Sequence, residues 1–380
     1  MSLFDRIAER FSKVKPLPEG LHQMQAILND KPYRLHLRLQ KNGAGVLIVN
    51  ASTVLQLNPS AAEYAYHFVK GTAPEEAAKQ IAARYRVSKV VALNDYEEFV
   101  ARVQTLIDAP DLDPVTYLDF ERIAPRSAEL SAPLRLDCAL TYRLPSNTSA
   151  NDAPAKRVER ELTSAEWNSI LDKAWQAGIP HITFTGGEPT LRDDLPELIA
   201  HAEKNGQVCG LLSDGLKLAD KKYLQLLLQT GLDHLLFILQ MDNSDSWRAL
   251  EIIMPEDLFT TVHITLTKEN ISGAAAALEK CAALGVKSLS LSIADVSLNE
   301  SLTAIKNKSA QLGFTLRFDL PVPYSAQHPV AYETSEDNVI SGAGKAWLYV
   351  EPDGDVLPAQ VLADQILGNI LRDPWDKLYR

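Results

Sequence analysis

Residues 183–191, TFTGGEPTL, decide how the fold is interpreted. The first three of these residues end a β-branched run at residues 181–185. The stretch therefore spans the end of a predicted strand. Gly186 and Gly187 leave the backbone uncovered at that point, and a ligand can then approach its N–H and C=O groups directly. Glu188 beside them would attract an ammonium group or another cation. The alternative interpretation is a tight β–α turn with Glu188 as a solvated loop charge.

Strands and helices alternate on both sides of this stretch. Apolar runs predict strands at residues 134–138, 181–185, 207–212, 234–240, 261–267 and 287–293, with a seventh at 314–320. Helical segments lie between them, and the first opens with a capping box formed by Thr163 and Glu166. Runs that are apolar throughout are typical of parallel strands buried on both faces. Six such units predict a full or partial (β/α) barrel, and a doubly wound open sheet is the alternative.

The first hundred residues follow a different pattern. Asn42 and Gly43 separate two alternating runs and predict a β-hairpin over residues 33–50. Three helical segments follow, of which the second begins at a Thr72 cap and the third at Asn94. The hairpin and the helices together predict a small α+β domain. The Asp- and Pro-rich residues after it are typical of a linker.

Composition and charge limit the classes of partner. The formal net charge of −11 argues against nucleic acid as the main partner, because phosphate binding needs a cationic face. No apolar run approaches the ~20 residues that span a bilayer, and the N-terminus does not read as a secretory signal. Instead, Leu3, Ile7 and Phe11 are spaced for a short amphipathic docking helix, with a membrane-surface helix as the alternative.

Three cysteines are present, Cys138, Cys209 and Cys281, and they lie far apart in the sequence. Widely spaced thiols in apolar settings indicate buried cysteines rather than a disulfide framework. This pattern predicts a cytoplasmic protein. The histidines show no metal-ligand spacing, so no metal site is predicted from them.

Several loops resemble those of radical S-adenosylmethionine (SAM) enzymes. Residues 183–195 resemble the family's second strand and its Gly-Gly-Glu turn, which holds the amino group of the SAM methionine. Residues 211–218 (LLSDGLKL) and 237–243 (FILQMDN) resemble the ends of the third and fourth strands, and residues 261–271 the fifth. The resemblance implies a partial (β/α)6 barrel at residues 131–322. It also implies a SAM site formed by Gly186, Gly187, Glu188, Ser213 and Asp242.

The flanking regions extend the resemblance. Residues 1–108 resemble a PqqD-like, winged-helix-like peptide-recognition domain, followed by a linker at 109–130. Residues 323–380 resemble the auxiliary-cluster domain of the peptide-modifying branch, of the SPASM or twitch type, with a β-hairpin and a final helix. This last domain keeps the family's small and turn-forming positions, namely Ala343-Gly344, Asp353-Gly354, Pro358 and Gly368-Asn369.

The cysteines that the family uses are missing. It binds its [4Fe–4S] cluster through Cys-x3-Cys-x2-Cys just after the first strand. Aligned on Cys138, the second and third positions hold Tyr142 and Pro145. In the auxiliary domain, Ser341 and Ala359 stand where the family has cysteine. One thiolate cannot hold such a cluster, so no iron–sulfur cofactor is expected, whereas the Gly-Gly-Glu turn leaves SAM as a candidate ligand.

These departures predict a catalytically degenerate radical SAM homologue. It would act as a scaffold in peptide modification that binds a peptide or a protein partner, with an active radical SAM paralogue as one candidate. An enzyme with non-radical chemistry that binds SAM or another nucleotide is the alternative. The third hypothesis is an active radical SAM enzyme with an externally supplied cluster. A shared fold does not by itself decide among the three.

Overall fold

The computed structural model of the chain describes residues 16–50, 53–109, 130, 132–145, 152–318, 320–333 and 342–379. Three predicted features lie outside these residues: the docking helix around Leu3, Ile7 and Phe11, nearly all of the 109–130 linker, and Ser341. The chain divides into two compact units, Met1–Ser131 and Ala132–Arg380. No helix among the described residues is long and apolar enough to cross a membrane.

The sheet of the first unit has four antiparallel strands. They are, in spatial order, β1 (Gly20–Leu28), β2 (Lys31–Leu39), β3 (Gly45–Val49) and β4 (Thr53–Leu57). Strands β2 and β3 form the predicted hairpin, and the Asn42 side chain accepts a hydrogen bond from the Ala44 amide in the turn between them (3.0 Å). The sequence did not predict β1 and β4, which complete the sheet on either side of this hairpin.

Three helices follow the sheet: α1 (Pro59–Val69), α2 (Pro74–Tyr85) and α3 (Lys89–Asp108). Helices α1 and α3 pack on the sheet, whereas the buried residues of α2 pack against α1 and α3. The predicted starts of α2 and α3 need correction. Thr72 does not cap α2, because Ala73 precedes that helix and makes no side-chain cap. Helix α3 begins at Lys89 rather than Asn94, because the Ser88 hydroxyl accepts a hydrogen bond from the Val91 amide and caps it there (3.2 Å).

The second unit is built on one ten-stranded sheet. Seven of its strands run parallel in the order β11-β10-β9-β8-β7-β6-β5. Each corresponds to a predicted strand: β5 (Arg135–Thr141), β6 (His181–Gly186), β7 (Val208–Ser213), β8 (Leu232–Ile238), β9 (Phe259–Leu266), β10 (Ser288–Ile293) and β11 (Thr315–Arg317). The architecture is α/β with a mostly parallel sheet, consistent with the predicted partial barrel.

Helices connect these strands. They are α4 (Ser164–Gln176), α5 (Leu195–Asn205), α6 (Lys221–Gln229), α7 (Ser244–Ile253), α8 (Ala274–Ala283) and α9 (Asn299–Gln311). The predicted capping box is present at the start of α4, where the Thr163 hydroxyl and the Glu166 carboxylate each accept a hydrogen bond from the other residue's backbone N–H. The core under these helices contains Trp167, Ile170 and Phe184, all without exposed surface.

The C-terminal hairpin continues the same sheet. It consists of β12 (Trp347–Val350) and β13 (Asp355–Leu357), followed by β14 (Gly368–Asn369) and the short helix α10 (Trp375–Leu378). Strand β12 pairs in parallel with β5, with Val350 opposite Cys138. This register carries Tyr349 and Glu351 towards the carboxyl end of β5, where the candidate site lies.

Candidate functional site

The Gly-Gly-Glu turn lies at the carboxyl end of β6, the edge of a parallel sheet at which ligands bind. Its backbone groups are bonded to the chain itself. The Gly187 amide donates to the Thr141 carbonyl (2.8 Å), and the Glu188 amide donates to the Arg143 carbonyl (2.9 Å). The Gly186 carbonyl accepts from the Tyr324 amide (2.9 Å). The backbone predicted to be open to a ligand is therefore covered by two other segments of the protein.

The two glycines are needed for this close approach. Gly186 has φ +121°, a conformation that side chains disfavour, and a Cβ there would overlap the Thr141 carbonyl oxygen. A Cβ on Gly187 would overlap the Arg143 carbonyl oxygen in the same way. The turn is thus glycine-rich because the loop after β5 packs directly against it.

Substituting Gly186 by alanine is expected to destabilise the second unit by at least about 2 kcal/mol, because both the positive φ and the overlap with Thr141 are unfavourable. Gly273→Ala is the matched control. Gly273 has an ordinary helical φ and open space around its Cβ position, so its substitution is expected to be neutral or slightly stabilising. Urea unfolding of both variants measures the difference. Equal stabilities would show that the close approach at Gly186 is absent.

Glu188 is buried, with 4% of its surface exposed, so its interpretation as a solvated loop charge is wrong. Its Oε1 accepts hydrogen bonds from the Thr190 amide (2.9 Å), the Thr190 hydroxyl (2.5 Å) and the Ser213 hydroxyl (2.9 Å). Its Oε2 accepts from the Asp214 amide (2.9 Å). A carboxylate has about four acceptor positions. Four internal donors therefore satisfy most of its hydrogen-bonding capacity.

The neighbouring carboxyl group of Asp214 was not singled out from the sequence. Burial raises the pKa of Glu188, and the nearby negative charge of Asp214 raises it further. Burial also raises the pKa of Asp214, which accepts a hydrogen bond from the Leu216 amide (2.9 Å). Of the other predicted SAM residues, Ser213 joins this cluster through its bond to Glu188. Asp242 is exposed and has no hydrogen bond to either residue.

Cys138 does not stand at the start of the loop after the first strand. Strand β5 continues to Thr141, so Cys138 lies inside the strand. Its side chain packs with Trp167 and Phe184 in the core beneath the helices, whereas Ala139 faces the opposite side of the sheet. Burial raises the pKa of the Cys138 thiol well above its usual range. The predicted alignment of Cys138 with the first cluster ligand is therefore corrected.

A buried polar network lies directly after the carboxyl end of β5. The Tyr142 hydroxyl donates to Glu351 Oε1 (2.9 Å), and the Arg157 guanidinium donates to the same oxygen (2.5 Å) and to the Tyr324 hydroxyl (3.2 Å). The Tyr142 and Tyr349 hydroxyls lie 3.3 Å apart. We call these five residues the tyrosine network. Its rings and hydrogen bonds connect the loop after β5, the chain at Tyr324 and the C-terminal hairpin.

The residues at this position do not fit an iron–sulfur cluster. Such a cluster is held by several Cys thiolates, and the sequence from Tyr142 to Ile179 contains no cysteine. Tyr142 is buried in the tyrosine network, and Cys138 faces the other side of the sheet. In the C-terminal region, Ala359 is buried beside Pro358, whose carbonyl accepts a hydrogen bond from the Gly344 amide (2.8 Å).

Two histidines come together that the sequence did not pair. His181 and His234, on β6 and β8, lie with their Nε2 atoms 3.1 Å apart, and Gly210 on the strand between them leaves room for the His234 ring. His263 on β9 is buried, and burial lowers its pKa to about 3. Within the described part of the chain, no three His, Cys, Asp or Glu side chains are grouped as metal ligands.

The chain is similar in sequence to a known protein family and to a curated relative. The Radical SAM superfamily model matches residues 138–307, all of which lie in the second unit. A curated relative, the PqqA peptide cyclase of Granulibacter bethesdensis, is 28% identical over 172 residues, which cover 41% of this chain and 46% of the relative. The match therefore spans less than half the length of that relative.

Two solved structures share the fold. The crystal structure of Streptococcus suis SuiB bound to its precursor peptide SuiA covers 94% of this chain and 89% of its own, with a TM-score of 0.59 and 16% identity. Native anSMEcpe with bound AdoMet covers 65% and 80%, with a TM-score of 0.51 and 14% identity. At such identities the likeness establishes the fold alone.

Proposed function

We propose that this protein is a peptide- or partner-binding scaffold in peptide modification, built on a radical SAM domain that does not perform radical chemistry. The observation that carries the binding role is an apolar groove in the first unit. The relatives support the context, since one is named a PqqA peptide cyclase and SuiB is solved with a precursor peptide. An active radical SAM paralogue is a second candidate partner.

The groove has a volume of about 340 Å³ and lies between β1, the end of α1 and helix α3. Its lining is mostly apolar and includes Met24, Phe68, Pro74, Tyr96, Val100 and Ala101. Strand β1 is the outermost strand of its sheet, and no other described strand pairs with its free edge. An extended peptide can add to such an edge through its backbone and insert an apolar side chain into an adjacent groove. The groove therefore suits a peptide with an apolar anchor residue.

Filling the groove is expected to weaken peptide binding. Ala101→Trp places a bulky ring on the exposed rim of the groove, whereas Ala83→Trp places the same ring on α2 at an exposed position outside it. Fluorescence anisotropy with synthetic peptides, taken from short reading frames beside the gene, measures the affinity. We expect Ala101→Trp to weaken binding at least tenfold, or about 1.4 kcal/mol, and Ala83→Trp to leave it unchanged. Equal affinities for both variants would contradict a role for the groove.

The absence of radical chemistry is proposed from the residues after β5. Without a cluster there is no electron with which to cleave SAM, and the loop directly after β5 is occupied by the tyrosine network. A non-radical enzyme that binds SAM is less well supported, because the Gly186 carbonyl and the Glu188 carboxylate already have partners within the protein. Anaerobic reconstitution tests the proposal: stoichiometric iron and sulfide with production of 5′-deoxyadenosine would refute it.

The proposal includes a cellular compartment and a class of partner. The three thiols, Cys138, Cys209 and Cys281, are buried and form no disulfide, which supports a reducing compartment such as the cytoplasm. The acidic charge supports a peptide or protein partner over nucleic acid.

A further inference from the structure

The carboxyl ends of β6 to β9 form the edge at which parallel α/β sheets bind ligands. In this protein residues 320–333, which we call the strap, pass over those strand ends. The strap follows β11 and ends in a short 3₁₀ turn at Val330–Glu333. It contacts the sheet at three successive places.

The first contact is apolar. Leu320 and Val322 pack on the inner faces of β7 and β8, against Leu212, Leu236 and Ile238. The Val322 carbonyl also accepts a hydrogen bond from the Gln360 side chain (3.1 Å), which connects the strap to the chain after the C-terminal hairpin. This part of the strap thus covers the carboxyl ends of β7 and β8.

The second contact is at the Gly-Gly-Glu turn. The Tyr324 amide donates to the Gly186 carbonyl (2.9 Å). The Tyr324 hydroxyl accepts from Arg157 (3.2 Å), and its ring meets the Tyr142 ring edge-on at 5.5 Å between centroids. Only 1% of the Tyr324 surface is exposed. Tyr324 therefore anchors the strap to β6 and to the tyrosine network at once.

The third contact is on β9. A turn with two 3.0 Å backbone hydrogen bonds between Ser325 and His328 reverses the strap. The His328 ring then lies edge-on to the His263 ring, 6.5 Å between centroids. His263 is held beneath it by bonds to the Ser290 and Ser292 hydroxyls (2.9 and 3.0 Å).

The sequence of the strap makes this arrangement stiff. Pro321, Pro323 and Pro329 each fix one backbone angle, so ordering the strap costs less conformational entropy than ordering an ordinary loop. The side chains below it are correspondingly inaccessible. Thr185 and Ser213 have no exposed surface, and His263 and Glu188 have 1% and 4%.

We propose that the strap, anchored by Tyr324, permanently covers the carboxyl ends of β6 to β9. A small ligand such as SAM therefore does not enter the barrel. Binding of partners then takes place on other surfaces of the molecule. The inference does not depend on peptide binding by the first unit, and either can fail alone.

Hydrogen–deuterium exchange of the full chain tests this closure, with Tyr324→Ala and Tyr324→Phe as matched variants. The alanine variant loses the anchoring ring, whereas the phenylalanine variant keeps the ring and loses only the hydroxyl that Arg157 contacts. We expect Tyr324→Ala to speed exchange of the strap and of residues 187–190 at least about tenfold, with α3 unchanged, and Tyr324→Phe to have a much smaller effect. Unchanged exchange in Tyr324→Ala would overturn the anchoring role.

SAM itself is the probe for the closure. At millimolar SAM, the wild-type protein is expected to show the same exchange in residues 183–191 and in the strap as it does without SAM. Protection of either segment by SAM, or strap exchange in the wild type as fast as that of an unstructured peptide, would overturn the proposal. Equal peptide affinities of the Ala101→Trp and Ala83→Trp variants would refute the role of the groove and leave this result untouched, so the two proposals can fail separately.

Discussion

Replacing Arg157 by alanine is expected to destabilise the second unit by about 3–5 kcal/mol, because it leaves the Glu351 charge buried without its partner. The Glu351 side chain is only 3% exposed and that of Arg157 24%. The guanidinium also donates to the Tyr324 hydroxyl and lies over the Tyr142 ring at 5.5 Å. Since small domains have only about 5–15 kcal/mol of net stability, this loss is a large fraction of the total.

The defect is expected to depend on pH. Burial raises the pKa of Glu351, and the charge of Arg157 opposes that rise. Without Arg157 the pKa in the folded state rises further, so the folded protein keeps a proton that the unfolded chain releases above its ordinary carboxyl pKa of about 4.3. Folding stability then falls as pH rises through this window. Urea unfolding is expected to show a small difference from wild type near pH 4.5 and the full difference at pH 8.

Lys268→Ala is the matched control for this prediction. It also breaks a Lys/Arg–carboxylate pair, with Asp295 at 2.9 Å, but both side chains are largely exposed. Exposed pairs contribute little to stability, so this variant is expected to unfold almost as wild type does at either pH. If Arg157→Ala is as mild as Lys268→Ala at pH 8, the Arg157–Glu351 pair is not the buried connection described here.

The sequence located the strands of the second unit because each buried strand is an apolar run long enough to recognise. It missed β1, whose sequence GLHQMQAIL mixes polar and apolar residues and whose side chains stay partly exposed. It placed the start of α3 too late, because Val90 and Val91 in its first turn are exposed and do not continue the apolar periodicity of the helix. Local patterns therefore predict elements well where burial is regular and poorly where it is not.

The candidate site was predictable only in part. The glycines and Glu188 were placed correctly at the end of β6, since a turn after a strand is a local feature. The tyrosine network was not predicted, because Arg157 and Glu351 are 194 residues apart in the sequence and meet through the pairing of β12 with β5. The position of Cys138 depended on where β5 ends. Three further residues of strand move its thiol from a loop into the core.

The double substitution Tyr142→Cys and Pro145→Cys supplies the two missing cysteines of the motif. It is expected not to restore a [4Fe–4S] cluster. The resulting sequence contains Cys-x3-Cys-x2-Cys counted from Cys138, as the family motif requires. However, Cys138 packs with Trp167 beneath the helices, on the face of the sheet opposite to Ala139 and Tyr142. A single cluster cannot reach thiolates on both faces of a strand without breaking the pairing of β5 with β6 and β12.

Anaerobic reconstitution of the double variant and of the wild type measures this directly. We expect substoichiometric iron and no 5′-deoxyadenosine from SAM for both proteins, with circular dichroism used to confirm that the double variant remains folded. A third protein, the double variant with Cys138→Ala added, serves as the control. Because Cys138 faces the core, its removal is expected to leave any residual iron binding unchanged. Stoichiometric iron and sulfide that depend on Cys138 would show instead that this thiol can reach the loop, and the assignment of Cys138 to the interior of β5 would then have to be abandoned.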